Sequence, residues 1–314
     1  MRPVAPGVAA AASPAAADPA NATDDPTMPH KPAPLRTEPL AERLDGELDA
    51  LLAEPFASAW AQGDRAPASA SPALRGRLLE RLAASRAASA VMFTSRRARL
   101  AAVERAPGVI ERTLYAAPGG RALRRGEPLR ARLIELGPGA RWHGPDATQH
   151  REWLVLRGSA RIGNEALRPR DYHVAPAQAA QGVVGTRAGA LLFLRESTLP
   201  AGAGAGAGAG AYTVRDDAAA WPDYAPGIKR RVLWQHDGQA AMLYHAEPGA
   251  SVPLHSHGHD EECLMLLGEL FLDDELLRAG DYQLAPAGSA HHTTATDTGV
   301  VIFAHGDLDL NFAA

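Results

Sequence analysis

The chain has one cysteine, Cys263, among 314 residues. That excludes an internal disulfide and any zinc site built from thiolates, and it makes the reducing cytoplasm the expected compartment. Nowhere does the sequence approach the roughly 18 consecutive apolar residues of a membrane-spanning helix, and no membrane association is expected. The alanine runs near the start are broken by Pro14 and Pro19 and lack the leucine-rich core of a signal peptide. Neither sign of charge dominates: 32 basic and 36 acidic groups leave a formal net charge of −4. Direct nucleic-acid binding is therefore not expected, because affinity for phosphate needs clustered excess positive charge. Large apolar side chains are scarce in residues 1–34, which are expected to form a disordered tail, with Met28 a candidate for the true start. Residues 201–211, AGAGAGAGAGA, carry nothing larger than a methyl group and are expected to be a flexible connector.

Helical periodicity is present between the tail and residue 100. Leu40, Leu44, Leu48, Leu51 and Leu52, flanked by Pro39 and Pro55, predict an amphipathic helix over 38–53. Ser71-Pro72 opens a second helix over 72–90 with Leu74, Leu78, Leu79 and Leu82 on it. Eight arginines between 75 and 105 face only Glu80 and Glu104. The resulting basic surface is either a solvated face or a docking surface for an acidic partner.

Beyond residue 100 the chain repeats itself. Gly139–Glu196 aligns without gaps with Gly249–Gly306 at an offset of 110, pairing Glu152 with Glu262, Gly158 with Gly268, Asp171-Tyr172 with Asp281-Tyr282, Pro176 with Pro286 and Phe193 with Phe303. Upstream, Pro107-Gly108-Val109 echoes Pro226-Gly227-Ile228 at an offset of 119, which places a longer hairpin between Ala116 and Arg132. Each half holds short apolar runs bounded by Gly and Pro: Leu133–Leu136, Trp153–Leu156, Tyr172–Ala175 and Ala190–Leu194, then Met242–Tyr244, Cys263–Leu267, Tyr282–Ala285 and Val300–Phe303. Such spacing predicts a mainly β protein of two tandem jelly-roll barrels. The expected divisions are a tail over 1–34, a helical region over 35–100, a first barrel over 101–199, a linker over 200–211 and a second barrel over 212–314.

Chemistry concentrates in the second half. Side chains at i and i+2 of a strand share a face, so His255 and His257 can offer two imidazoles to one ion. Glu261 has matching parity if the strand continues, and His291 is expected to close the site from another strand across the barrel, placed by the Pro286-Ala287-Gly288 turn. Three imidazoles and a carboxylate suit one divalent metal: zinc, iron(II), manganese, nickel or copper. His259 is an alternate ligand or a solvated loop histidine, and His292 is a weaker candidate of the same kind. Cys263 is a buried thiol or a redox-sensitive group near the metal, and Glu262, repeated as Glu152, is read as structural or as a support behind the ligands.

Carried back by 110, the four ligand positions become Pro145, Ala147, Arg151 and Gln181, none a competent ligand, so the first barrel is expected to hold no metal. His143, His150 and His173 could form a displaced site. Arg151 with Trp142 and Trp153 could instead hold an anionic or aromatic ligand.

The stretches Gly249-x5-His255-Ser256-His257-x3-Glu261-x6-Gly268 and Gly280-x5-Pro286-x-Gly288-x2-His291 resemble the two motifs of the cupin superfamily. In that superfamily the equivalents of His255, His257, Glu261 and His291 bind one divalent metal. Asp260-Glu261-Glu262 and Gly280-Asp281-Tyr282, with Phe93-Thr94-Ser95-Arg96 upstream, are similar to ChrR-type anti-sigma factors, and the resemblance covers about 200 residues as two copies. It implies a sensor or transcription-regulatory protein whose N-terminal helices dock a sigma factor. The chain departs from the type in having no Cys-x-x-Cys. Cupins with the same ligands also include iron(II) dioxygenases that cleave diketones or hydroxyacetophenones, so whether the chain is an enzyme stays open. A small-molecule ligand and a homo-oligomer are the other partners left open.

Overall fold

In the computed structural model, residues 70–121, 127–144, 148–179, 182–199, 210–216 and 221–312 are described. The expected tail, the helix over 38–53 and most of the Ala/Gly connector lie outside them. Each of the eight apolar runs lies within a strand, because branched and aromatic side chains on a pleated surface bury best between neighbours on both sides. The first half supplies Val109–Ala116, Pro128–Leu136, His150–Gly158, Tyr172–Ala175 and Ala190–Ser197. Its repeat supplies Ile228–His236, Gln239–Ala246, Glu261–Leu272, Tyr282–Ala285 and Val300–Asp307. In both halves the fifth strand lies between the second and third, and all pairs are antiparallel. Smaller sheets complete two jelly-roll barrels, and the fold is mainly β.

The hairpin between 116 and 128 is the longer one, as the offsets require. Its counterpart in the second barrel turns in two residues, Asp237 at φ 51° and Gly238 at φ 78°, the left-handed pair that a tight hairpin needs.

Upstream, the second predicted helix spans Ala70–Val91. The next residues depart from the expected helical region. Phe93–Ser95 is a strand, and it adds to the edge of the second barrel against Tyr282–Ala285. Tyr212–Val214, which precedes the second barrel, adds in the same way to Tyr172–Ala175 of the first. The exchange is reciprocal to the level of single contacts. Arg96 bonds the Leu276 carbonyl, Glu275 and Asp281, and Arg215, its counterpart at the offset of 119, bonds the Ala166 carbonyl, Glu165 and Asp171. Each arm covers an edge whose backbone groups would otherwise face water or another chain.

The barrels meet over a shared core that holds Leu154, Tyr172 and Phe193 together with their repeats Leu264, Tyr282 and Phe303. The Phe193 and Phe303 ring centroids are 5.3 Å apart. A charged group sits inside this core. Arg195, 1% exposed, donates from Nε to Glu262 and from Nη1 to Glu152 at 2.8 Å. Tyr172 and Tyr282 donate to Glu152 and Glu262 in turn. The expected structural role of the repeated glutamates is thus a clamp between barrels.

Candidate metal centre

His255 lies in a two-residue strand, His255–Ser256, pinned between Ala290–His291 and Asn311–Phe312. The strand does not continue to Glu261. The chain turns through 257–260, where Asp307 accepts the Gly258 N–H and engages His259, and a new strand starts at Glu261. Parity along one strand therefore does not relate Glu261 to the histidines; the turn does. His291 likewise stands directly opposite His255 in the neighbouring strand rather than across the barrel. The Pro286-Ala287-Gly288 turn is stitched to His257, whose N–H donates to the Ser289 carbonyl at 3.0 Å and whose carbonyl accepts from Gly288 at 2.7 Å.

These placements bring ligand atoms of His255, His257 and Glu261 within 4.8 Å of one another, the one such cluster among the described residues. The His291 ring stands beside it, its centroid 5.1 Å from that of His257 and 5.7 Å from that of His255. All three histidines are buried. Two are oriented from behind. His255 Nδ1 lies 2.9 Å from the Pro253 carbonyl, and His291 Nδ1 lies 3.3 Å from Asp273 Oδ2, which leaves each Nε2 for the site. Asp273, at φ 53°, is itself held by the His292 and Thr293 N–H groups at 2.7 and 3.1 Å.

The electrostatics follow from this crowding. Burial alone would raise the Glu261 carboxyl, but His257 beside it and the other two imidazoles bring it down to about 2. Burial lowers His255, while for His257 the same burial is outweighed by the Glu261 carboxylate and the group is raised. His257 Nδ1 faces Glu261 Oε2 at 3.3 Å, and the buried Nε2 of the same ring makes no hydrogen bond. A buried polar atom without a partner is costly, and a divalent cation would satisfy it. Imidazole and carboxylate donors at this spacing fit such an ion.

A cavity of about 70 Å³ inside the barrel opens onto His255 and Glu261 between Tyr244, Val252, Leu270 and Ile302. In the first barrel Trp153 stands where the second barrel has Cys263 and Leu194 where it has Ala304, and both larger side chains belong to a packed core. Arg151, at the position of Glu261, is fully buried and donates to the Ala179 carbonyl at 3.0 Å. Trp142 and Trp153 pack edge to face with each other at 6.2 Å. Pro145, Ala147 and Gln181 lie outside the described residues. The displaced histidine site does not assemble: His143 is exposed, His173 pairs with Thr213 and His150 is buried against Glu152. His259 is engaged by Asp307, the His292 side chain is exposed, and the Cys263 thiol is pushed well up by burial. Asp273 is the residue that sequence reasoning missed. It lies 18 residues before His291 in an ordinary strand turn, and no motif marks it.

Residues 209–309 match the family model of the ChrR cupin-like domain. No curated protein matches the sequence. Among solved structures, a candidate dioxygenase from Nostoc punctiforme superposes with a TM-score of 0.54 at 15% identity, over 71% of this chain and 87% of that one. A candidate glyoxylate-induced protein from Pseudomonas aeruginosa does so with a TM-score of 0.51 at 15% identity, over 66% and 83%. At such identity the likeness is one of fold. Among the described residues, no helix is long and apolar enough to cross a membrane.

Proposed function

Residues 209–309 are a ChrR cupin-like domain, and from that premise we propose that the protein binds one divalent metal ion in its C-terminal barrel and acts as a regulatory sensor. His255, His257, Glu261 and His291 would hold the ion, and the first barrel serves as its structural partner. The observation that carries this reading is the convergence of ligand atoms of His255, His257 and Glu261 within 4.8 Å, with the buried Nε2 of His257 making no hydrogen bond. When bound, such an ion supplies Lewis acidity to whatever enters the cavity. The chain's own residues do the rest: Pro253 and Asp273 orient two imidazoles, and the apolar cavity wall limits water.

The regulatory part is supported by the helix Ala70–Val91, which leaves Leu79, Leu82 and Val91 about half exposed, as a partner-docking element would. The test is capture of a sigma factor from the native host by the full chain. Deletion of residues 35–92, which spares the exchanged arm, is expected to abolish capture and keep the metal. A metal-replete chain that captures no sigma factor would contradict the regulatory reading.

The cavity itself favours a second reading, an iron(II)-dependent dioxygenase, since it offers apolar space directly against His255 and Glu261. Oxygen uptake after anaerobic loading with iron(II), in the presence of diketones or hydroxylated aryl ketones, would establish it. Silence across a broad panel would count against it.

A further inference from the structure

A second cavity, of about 620 Å³, runs along the seam between the barrels, and none of the metal ligands belongs to its lining. Its floor is built by a repeated irregularity. In the first barrel the register passes from Arg157 opposite Leu191 to Val155 opposite Leu192, and in the second from Leu267 opposite Val301 to Met265 opposite Ile302. Each ladder skips one residue, and such a bulge re-aims a side chain. The skipped residues, Leu156 and Leu266, pack on the shared core and line the groove from both sides.

The walls are unlike. Arg157 stands where the second barrel has Leu267, which is 61% exposed. Among the described residues the lining includes Arg97, Arg157, Arg170 and Lys229 and no carboxylate. Asp216 neutralises Arg170 at 2.7 Å, whereas the side chains of Arg97, Arg157 and Lys229 make no ion pair among the described residues. Gly280, at φ 90°, leaves room for Arg97: a Cβ there would lie 2.3 Å from Arg97 Cδ. Apolar floor and unneutralised cations within one concavity of ligand-binding size match a molecule with an apolar body and a negative head.

We propose that this seam groove binds a monocarboxylate with an aliphatic or aryl body, its head toward Arg97, Arg157 and Lys229 and its body over Leu156, Leu266 and Leu267. The test is calorimetric titration of the full, metal-loaded chain with octanoate and with 2-naphthoate, using octanol and octylamine as controls. One saturable site is expected for at least one carboxylate, and the one that binds more tightly tells an aliphatic body from an aryl one. Affinity should fall by about tenfold or more in the Arg97→Gln/Arg157→Gln double variant and in Leu267→Glu, and should weaken with added salt. It should be retained in Glu261→Gln, which separates this groove from the barrel site. Arg157 and Leu267 are exposed and Arg97 is half-buried outside the hydrophobic clusters, so these substitutions leave the core untouched. Absence of saturable binding by both carboxylates, octanol binding as well as octanoate, indifference to the substitutions, or loss in Glu261→Gln would overturn the proposal.

Discussion

Arg195 of the first barrel crosses the interface to Glu262 of the second while holding its own barrel's Glu152, so one guanidinium serves two buried carboxylates. The repeat places His305 at the position of Arg195, so the pseudo-symmetric counterpart is no second permanent cation. The two carboxyls therefore differ. Burial raises both, but Arg195, His305, His150 and Tyr172 bring Glu152 down to about 2, whereas Glu262, with the Glu152 charge nearby, stays raised. Replacing Arg195 by Met strands that charge in the core and is expected to cost about 3–5 kcal/mol of stability. Restoring neutrality with Glu152→Gln and Glu262→Gln in the same chain should recover much of it. Denaturant unfolding of the three proteins measures the difference.

The same cluster sets a pH dependence. Burial, and then Arg195, push His305 down to about 3. An unfolded chain takes up a proton at this histidine below about pH 6.5 that the folded chain refuses until about pH 3. Its contribution is thus complete above pH 6.5 and is lost as the pH falls toward 3, at up to about 1.4 kcal/mol per pH unit. Glu152, depressed to about 2, acts with the same sign between about 4.5 and 2. The melting temperature of His305→Gln, followed from pH 7 to 4, should decline less steeply than that of the unaltered protein.

Asp273 orients His291 from outside the cluster and is in turn fixed by two backbone N–H groups. Burial opposes its charge, but His291 and those N–H groups lower its carboxyl. Asp273→Asn should weaken metal affinity by about 10–100-fold while the far-ultraviolet spectrum stays unchanged. Competition with a metallochromic chelator gives the number.

The exchanged arms predict a sharp boundary for truncation. A chain beginning at residue 92 keeps Phe93–Ser95 on the edge strand Tyr282–Ala285; one beginning at residue 98 loses it together with Arg96 and its bonds to Glu275 and Asp281. The first should remain dispersed in size-exclusion chromatography, and the second should aggregate through the bared edge.

Much of the fold was legible in the sequence because duplication leaves a constant offset: the strand cores and the barrel pair follow from the shift of 110. The cluster of His255, His257 and Glu261 was legible as residue types at a spacing, though the turn that joins them was not. Phe93–Ser95 could not be read as a strand, since three residues are too few for alternation to show and its partner lies 189 positions away at Gln283. Arg195 looked like any arginine ending an apolar run. Its partner Glu262 lies across an interface that no local pattern encodes.

The most direct measurement is the metal content of the purified protein by elemental analysis, taken side by side with His257→Ala, Glu261→Gln and Arg151→Met. One ion per chain is expected, falling close to zero in the first two variants and unchanged in the third. Equal loss in all three, or no ion in the unaltered protein after incubation with zinc or iron(II), would contradict a single centre in the C-terminal barrel.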